Sequence, residues 1–320
     1  VVHSLDRDGF EIGRRRKEYG IAMAYDVEST HMSQLVSILG MSQETVGSLL
    51  SSGFLLTWRY LKTYLGSDRK LLKTADAVFV TSPGQKIGLE RYYLYPEVKV
   101  YTVPYGIEIG DLSPREKSDE LRCKLGFPAD AQVVVILSDM SDFSEMRNIL
   151  RAFERVVIKK PSSRLVVIGD GPRRKAIEFE MLSLALGSKV VFTGILPPMQ
   201  IPDHIALADV FVNLSSRTTG FEPSILEAMA QKKIVIGSEV SPIATVVEDG
   251  KDGFLIRPAD VEALSRLLLK VFSRKVDIET LSINARSKVL ALFDTRKMVE
   301  QTLQAYNDTL LRLRMFRNPS

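Results

Sequence analysis

Five short runs rich in β-branched residues, separated by amphipathic stretches, constrain what this chain can fold into more than any other feature. "QVVVIL" (132–137), "RLVVIG" (164–169), "KVVFTG" (189–194), "DVFVNL" (209–214) and "KIVIGS" (233–238) are nearly continuous apolar runs, the pattern of parallel strands covered on both faces. Between them the spacing predicts helices over 147–159, 173–186, 199–208, 223–231 and 241–248, with 261–272 closing the set. Strand, helix, strand in regular succession is a doubly wound α/β domain. Open parallel sheets of this kind bind ligands outside the C-terminal ends of their strands, so the loops after these runs are where chemistry is expected.

The first third is less regular. "VVHSLD" (1–6), "GIAMAYDV" (20–27) and "DAVFVTS" (76–82) read as parallel strands, and the apolar-periodic stretch between Met41 and Leu72 reads as helices. About three strands is thin for a doubly wound unit. The expectation is therefore an incomplete first domain, truncated or completed by a second chain. "VKVYTVPYGI" (98–107) leads into "EIGDLSPREKSDE", a polar, proline-bearing connector that reads as a linker. The expected organisation is a partial Rossmann-like domain over 1–110, a second Rossmann-like domain over 111–292 and a C-terminal segment over 293–320. The hinge is placed at 106–115, and a long amphipathic helix over 296–315 is expected to pack back on the first domain.

Composition excludes several function classes. The single cysteine, Cys123, rules out an internal disulfide framework and a multi-cysteine metal site, and favours a reducing, cytoplasmic compartment. No apolar run approaches the roughly 18 residues of a spanning helix, so any membrane contact is expected at the surface. His3, His31 and His204 are scattered, which supports neither zinc nor thiol chemistry. His3 ends the first strand, where such folds line a ligand cleft, and His204 reads as structural. The net charge of +4 is spread out except for Arg14-Arg15-Arg16-Lys17. That run is either a solvated helix face, the commoner case, or a contact for anionic head groups or phosphates. No aromatic residues interleave the basic ones, which argues against nucleic acid.

The stretch with most chemical content is "TGFEPSILEAMAQKKIVIGS", 219–238. Gly220 lets the backbone come close to a ligand, and the amides at the following helix start attract phosphate oxygens. Glu227 lies deeper in that helix. Its carboxylate can accept two hydrogen bonds from a vicinal diol such as a ribose, or it can simply complement the helix macrodipole. Both readings stand on spacing alone. "GDGPRR" (169–174) follows a strand and precedes a helix, but Pro172 and Arg174 break the third-glycine position, and a tight turn accounts for it. A Tyr-x-x-x-Lys pair is also missing, which disfavours a Rossmann oxidoreductase.

These motifs resemble glycosyltransferase family 4, retaining nucleotide-sugar enzymes of the "glycosyl transferases group 1" type. The family's usual form is Glu-Gly-Phe-Gly, four variable residues, then Glu-Ala-Met-Ala. "KTADAVFVTS", "VYTVPYGIEIGDLSP", "RLVVIGDGPRRKAIE", "VVFTGIL" and "VEDGKDGFLIRPADVEAL" are similar to other family stretches in order and spacing, the last to a closing hairpin and helix. The resemblance covers about residues 75 to 310. It implies a GT-B fold, with two Rossmann-like domains facing across a cleft. It also implies transfer of a hexose from a UDP- or GDP-sugar to a glycan, lipid or other hydroxyl acceptor, with retention of configuration and without a metal or other cofactor. Peripheral contact with the inner face of a membrane is a further expectation from resemblance.

Carried onto this sequence, the resemblance puts Glu227 on the donor ribose and Gly194 and Ile195 near the base. Gly220 and the segment Phe221, Glu222, Pro223, Ser224 and Ile225 would hold the diphosphate. Two departures stand out. Thr219 occupies the place of the first signature glutamate and Glu222 that of a glycine, so these two are the expected neighbours of the sugar. The loop after the first strand of the second domain, Ser138 to Leu150, lacks the family's arginine and lysine pair, which leaves Ser138 in the loop and Arg147 as the remaining phosphate partner. Arg173 and Arg174 are weaker substitutes. A histidine of the family's first domain falls near Val27 or Glu28, with His31 a few residues on. These losses also fit an alternative, a non-catalytic GT-B-like subunit that binds a glycan or a partner glycosyltransferase.

Overall fold

The protein is described by a computed structural model, in which residues 1–5, 7–27, 30, 66–216, 223–240 and 242–317 are described. It divides into two compact units. The first comprises Val1–Gly106 and Thr295–Ser320; the second comprises the described residues between Ile107 and Asp294.

In the first unit, β1 (Val2–Leu5), α1 (Phe10–Arg14), β2 (Met23–Asp26), β3 (Ala77–Val80), α2 (Pro83–Tyr93) and β4 (Val100–Thr102) build a parallel sheet of order β1-β2-β3-β4. The sequence suggested about three strands here; Val100–Thr102 adds a fourth, in register with Val78–Val80. Strand alternation sends Met23, Tyr25, Val78, Val80 and Val100 to one face, with Leu71, Leu72, Leu89 and Tyr93 packed against them. Ala24, Ala77 and Phe79 point to the other face. Their small side chains admit the C-terminal helix over Thr295–Arg317, whose Ala305 and Tyr306 join that cluster. The helices expected between Met41 and Leu72 lie mostly outside the described residues; positions 66–74 are helical.

The second unit runs α3 (Asp119–Lys124), β5 (Val133–Leu137), α4 (Phe143–Lys159), β6 (Arg164–Ile168), α5 (Arg174–Ser183), β7 (Val190–Gly194), α6 (Ile201–Ala206) and β8 (Val210–Asn213). It continues with α7 (Ser224–Ala230), β9 (Ile234–Ser238), α8 (Ile243–Val246), β10 (Phe254–Ile256), α9 (Val261–Phe272) and α10 (Ile278–Leu292); the Thr295–Arg317 helix is α11. All neighbouring strands pair in parallel, in the order β10-β9-β8-β5-β6-β7. Both faces are covered, as the unbroken apolar runs require. Val134, Ile136, Leu165, Val167, Val212 and Ile236 meet α4, α5 and α9 on one side. Val133, Val135, Val166, Ile168, Phe211 and Val235 meet α6, α7 and α10 on the other.

The residue at the start of several strands also closes another segment at the same end of the sheet. The Gln132 amide donates to the carbonyl of Phe272 at the end of α9, Lys233 donates to Ala206 at the end of α6, and Lys189 and Arg164 donate to carbonyls just beyond α4. Cations at helix C-termini complement both the free carbonyls and the macrodipole. Burial pulls the Lys233 ammonium down to about 8, with Lys117 adding to the effect.

Three expectations need correction, and one helix was not expected. Helix α4 starts at Phe143 rather than Arg147, because Asp142 accepts from the amides of Ser144 and Glu145 and caps it there. Helix α10 was not evident in the sequence: its core-facing positions include Ser282 and Ala285 while Ile283, Leu290 and Leu292 stay exposed, so no apolar stripe marks it. The expected closing hairpin is a parallel edge strand, β10, paired to β9. The connector after 107 is not a free linker within its unit. Leu112 is buried, Arg115 pairs with Asp203 and Lys117 with Asp209, and Arg286 of α10 donates to the carbonyls of Leu112 and Ala230.

Helix α10 is anchored by Asp252, which is 3% exposed, accepts from the Glu248 amide and pairs with Lys288. Replacing Asp252 by alanine strands that lysine and an amide. Urea unfolding of Asp252→Ala should therefore show a loss of about 2–3 kcal/mol; a loss within error of zero would mean the pair does not hold α10.

Candidate functional site

The chain lays down β5, β6 and β7 in one direction, then returns to lay β8, β9 and β10 on the other side of β5. That reversal puts a topological switch point between β5 and β8, where the loops leaving adjacent strand ends diverge and open a crevice. The loop after β5 begins at Ser138. The segment after β8 begins at Leu214 and ends at α7, which carries Glu227.

On the β5 side the loops are interlocked through their backbones. The Ser138 amide donates to the Ile168 carbonyl, the Gly169 amide to the Gly194 carbonyl, and the Arg173 amide to the Met140 carbonyl. A Cβ at Gly169 would stand 2.0 Å from the Ser138 carbonyl oxygen, and one at Gly171 would stand 1.7 Å from that of Asp139. Gly169 also has φ +119, a region L side chains rarely adopt. The two glycines of "GDGP" are thus required by the approach of the first loop as well as by a turn, a role the Gly-x-Gly spacing alone did not reveal. Met140, buried and at φ +48, completes the seam.

The charges in these loops are largely committed. Asp142 caps α4. Arg174 pairs with Glu178 and Asp170, and those hydrogen bonds, Glu178 first, hold its guanidinium further toward the charged form. Arg174 is therefore not a spare phosphate ligand. Arg147 sits in the second turn of α4, not before it, with its guanidinium over the Phe143 ring and a buried Nε that has no hydrogen-bond partner. Ser138 is half-buried and its hydroxyl accepts from the Met140 amide. Gly194 ends β7 at φ +73, and Ile195 beside it is 81% exposed, an apolar surface at a strand end.

On the β8 side, α7 starts without a side-chain cap. Pro223, just before it, has no N–H and so cannot join an amide cradle; its fixed φ of −65 sets the helix start instead. Ser224 is 2% exposed and its hydroxyl has no partner among the described residues; Ile225 is fully buried in the core. Glu227 is half-buried in the first turn of α7, its amide bonded to the Pro223 carbonyl. No hydrogen bond or ion pair to its carboxylate is found among the described residues, and burial alone pushes its pKa up. Thr219, Gly220, Phe221 and Glu222 lie outside the described residues, as does His31.

His3 belongs to the first unit. Its Nδ1 lies 2.6 Å from the Tyr306 hydroxyl and its Nε2 3.3 Å from Asp26, within an aromatic group containing Phe79. His204 is buried, with Nδ1 on the Gln200 carbonyl of its own helical segment. Among the described residues no three His, Cys, Asp or Glu side chains converge as a metal site would require.

Comparison with known proteins assigns the class. Residues 117–288, more than half the chain, match the family described as Glycosyl transferases group 1, and the chain belongs to that family. It is 24% identical over 255 residues to N-acetyl-alpha-D-glucosaminyl L-malate synthase of Bacillus anthracis, covering 78% of this chain and 65% of that one. In structure it resembles sucrose-phosphate synthase from Thermosynechococcus elongatus, with a TM-score of 0.76 and 22% identity over 97% of this chain and 73% of that one. It also resembles Anabaena HepE in complex with UDP and glucose, with a TM-score of 0.74 and 19% identity over 95% and 77%. The fold is GT-B. The chain spans 30%, 65% and 43% of the lengths of three curated relatives.

The unpaired Glu227 carboxylate has a consequence for stability. Its pKa in the fold lies above the ordinary carboxylate value, so its protonated form is favoured on folding; that contribution is present below the ordinary value and lost as pH rises through the raised one. Glu227→Gln, always neutral, should melt at a higher temperature than the parent at about pH 7, with the gap closing near pH 4. A Gln variant less stable than the parent at neutral pH would mean that the carboxylate has a partner in the free protein.

Proposed function

We propose that the second unit binds a nucleoside-diphosphate sugar and that the protein transfers its hexose to a glycan, lipid or other hydroxyl acceptor with retention of anomeric configuration. The observation that carries this reading is Glu227: a half-buried carboxylate at the switch point, one turn from the unpartnered buried hydroxyl of Ser224. Leaving a polar group buried and unsatisfied costs free energy, and a bound ligand relieves that cost. A ribose diol is the matching donor, because a carboxylate has only acceptors to offer and can take both hydroxyls at once.

The remaining roles follow from charge and position. The diphosphate is assigned to the amides at the start of α7 and the Ser224 hydroxyl and, by their place in the motif, to Gly220, Phe221 and Glu222. Arg147, the basic side chain that follows the first strand of this unit, is assigned to the departing diphosphate, and stabilising charge that develops in the transition state is the largest service such a site performs. Gly194 and Ile195 offer an open backbone and an apolar side chain to the base. Thr219 and Glu222 are assigned to the sugar by their place in the motif. The donor is a UDP- or GDP-sugar; the Anabaena relative holding UDP and glucose favours UDP.

The capping of α4 by Asp142 and the double pairing of Arg174 favour a second reading, a family member that has kept the fold and lost donor binding. Calorimetric titration with UDP, GDP and their hexose conjugates separates the two. The transferase reading expects saturable nucleotide binding that Glu227→Ala weakens at least ten-fold, the scale of lost hydrogen bonds to a charged group, about 1.5–3 kcal/mol. No heat from any nucleotide at millimolar concentration would instead favour the non-catalytic reading.

A further inference from the structure

Arg174 opens α5 at the C-terminal end of the second unit's sheet, beside the end of β7. A Cβ at Gly194, the last residue of β7, would stand 3.7 Å from its Nη1. Its Cζ lies 5.9 Å from the centroid of the Phe192 ring. Two carboxylates fix its orientation: Nε donates to Glu178 at 2.8 Å and Nη1 to Asp170 at 3.0 Å. Asp170 is itself held, because its other oxygen accepts from the Gly171 amide. No hydrogen bond from Nη2 is found among the described residues. The guanidinium therefore holds spare N–H donors in a fixed plane next to Gly194 and the exposed side chain of Ile195.

The acceptors around these donors are already in use. The Gly194 carbonyl receives the Gly169 amide and the Thr193 hydroxyl, each at 2.9 Å, which fills both lone pairs. Each oxygen of Asp170 also receives a donor. This corner of the site thus presents N–H groups and an apolar side chain, and little that accepts. Charge points the same way. The two carboxylates beside Arg174 offset its charge, which makes it a poor partner for a diphosphate. A neutral carbonyl needs only an N–H held in one place, and a planar guanidinium holds its donors more rigidly than an ammonium does.

We infer that Arg174 selects the base of the donor, donating to a ring carbonyl of uracil and discriminating against cytosine and guanine. This role rests on the nucleotide reading above and adds to it which base is read and by which side chain. Cytosine carries an amine where uracil has a carbonyl, so it would set a donor against a donor. Guanine also has a carbonyl, but arginine reads it through a fork that takes the neighbouring ring nitrogen as well. With Nε given to Glu178, the side-on fork is gone. The N–H groups of guanine would also meet filled acceptors, and an unsatisfied donor in a site costs affinity. Ile195 supplies an apolar surface for the ring.

Calorimetric titration of the parent, Arg174→Lys and Arg174→Gln with UDP, CDP and GDP tests this role. The parent should bind UDP about ten-fold or more tightly than CDP or GDP, the scale of one unsatisfied donor. Arg174→Lys keeps a charge between Asp170 and Glu178 and should melt close to the parent, yet bring UDP and CDP within about two-fold of each other. Arg174→Gln offers an amide that both donates and accepts, and should level the two nucleotides in the same way. The ratio of UDP to CDP affinity is decisive, because a residue that only holds its loop in place lowers the affinity for every nucleotide alike. A parent that binds UDP and CDP equally, or prefers GDP, would overturn the inference and leave donor binding by this unit standing. Variants that keep the parent's ratio, or lose affinity for every nucleotide equally, would overturn it too. If no nucleotide binds the parent, the donor reading fails and this role fails with it. Circular dichroism and thermal melts of each variant separate a lost contact from a lost fold.

Discussion

An all-parallel sheet covered on both faces leaves only its two ends for polar chemistry, and the second unit uses those ends differently. At the N-terminal end, Gln132, Lys233, Lys189 and Arg164 are spent on the carbonyls at the ends of neighbouring segments. Positive charge there completes the fold. At the C-terminal end the strand order reverses between β5 and β8, and the diverging loops carry the partly buried side chains that lack partners. The placement of Arg147, Ser224 and Glu227 is a consequence of that reversal, because each follows one of the two strands that flank it.

The rigidity of the site has the same origin. Ser138 and Asp139 can lie against the second loop only because Gly169 and Gly171 have no Cβ, and the backbone bonds between these loops fix the floor of the crevice before any ligand arrives. The stability forgone at Glu227 is the kind of local cost that functional positions carry and structural ones do not.

Much of this was legible in the sequence. The five β-branched runs became β5 to β9 nearly residue for residue, because strands buried on both faces admit no polar interruption. The order of motifs pointed to the family that the match over 117–288 establishes. What escaped was set by contacts between segments. The start of α4 is decided by the Asp142 cap, four residues before the apolar face that marks the helix, and α10 by packing of Ser282, Ala285 and Val289 beneath β9 and α7, which leaves no apolar stripe to read. The commitment of Arg174 to Asp170 and Glu178 could not be told from that of a free arginine until the helix placed the three together. The "GDGP" glycines looked like a turn because their partner, the 138–139 backbone, lies some thirty residues away.

The account rests on Glu227 being unpaired in the free protein and paired by the donor. The most direct measurement is its titration by carbon-13 NMR of the side-chain carboxyl, assigned through Glu227→Gln, in the absence and presence of saturating UDP. The account predicts a pKa above the ordinary carboxylate value in the free protein, since burial raises it, and a fall on nucleotide binding as two hydroxyls come to favour the charged form. An ordinary pKa that UDP leaves unmoved would contradict it.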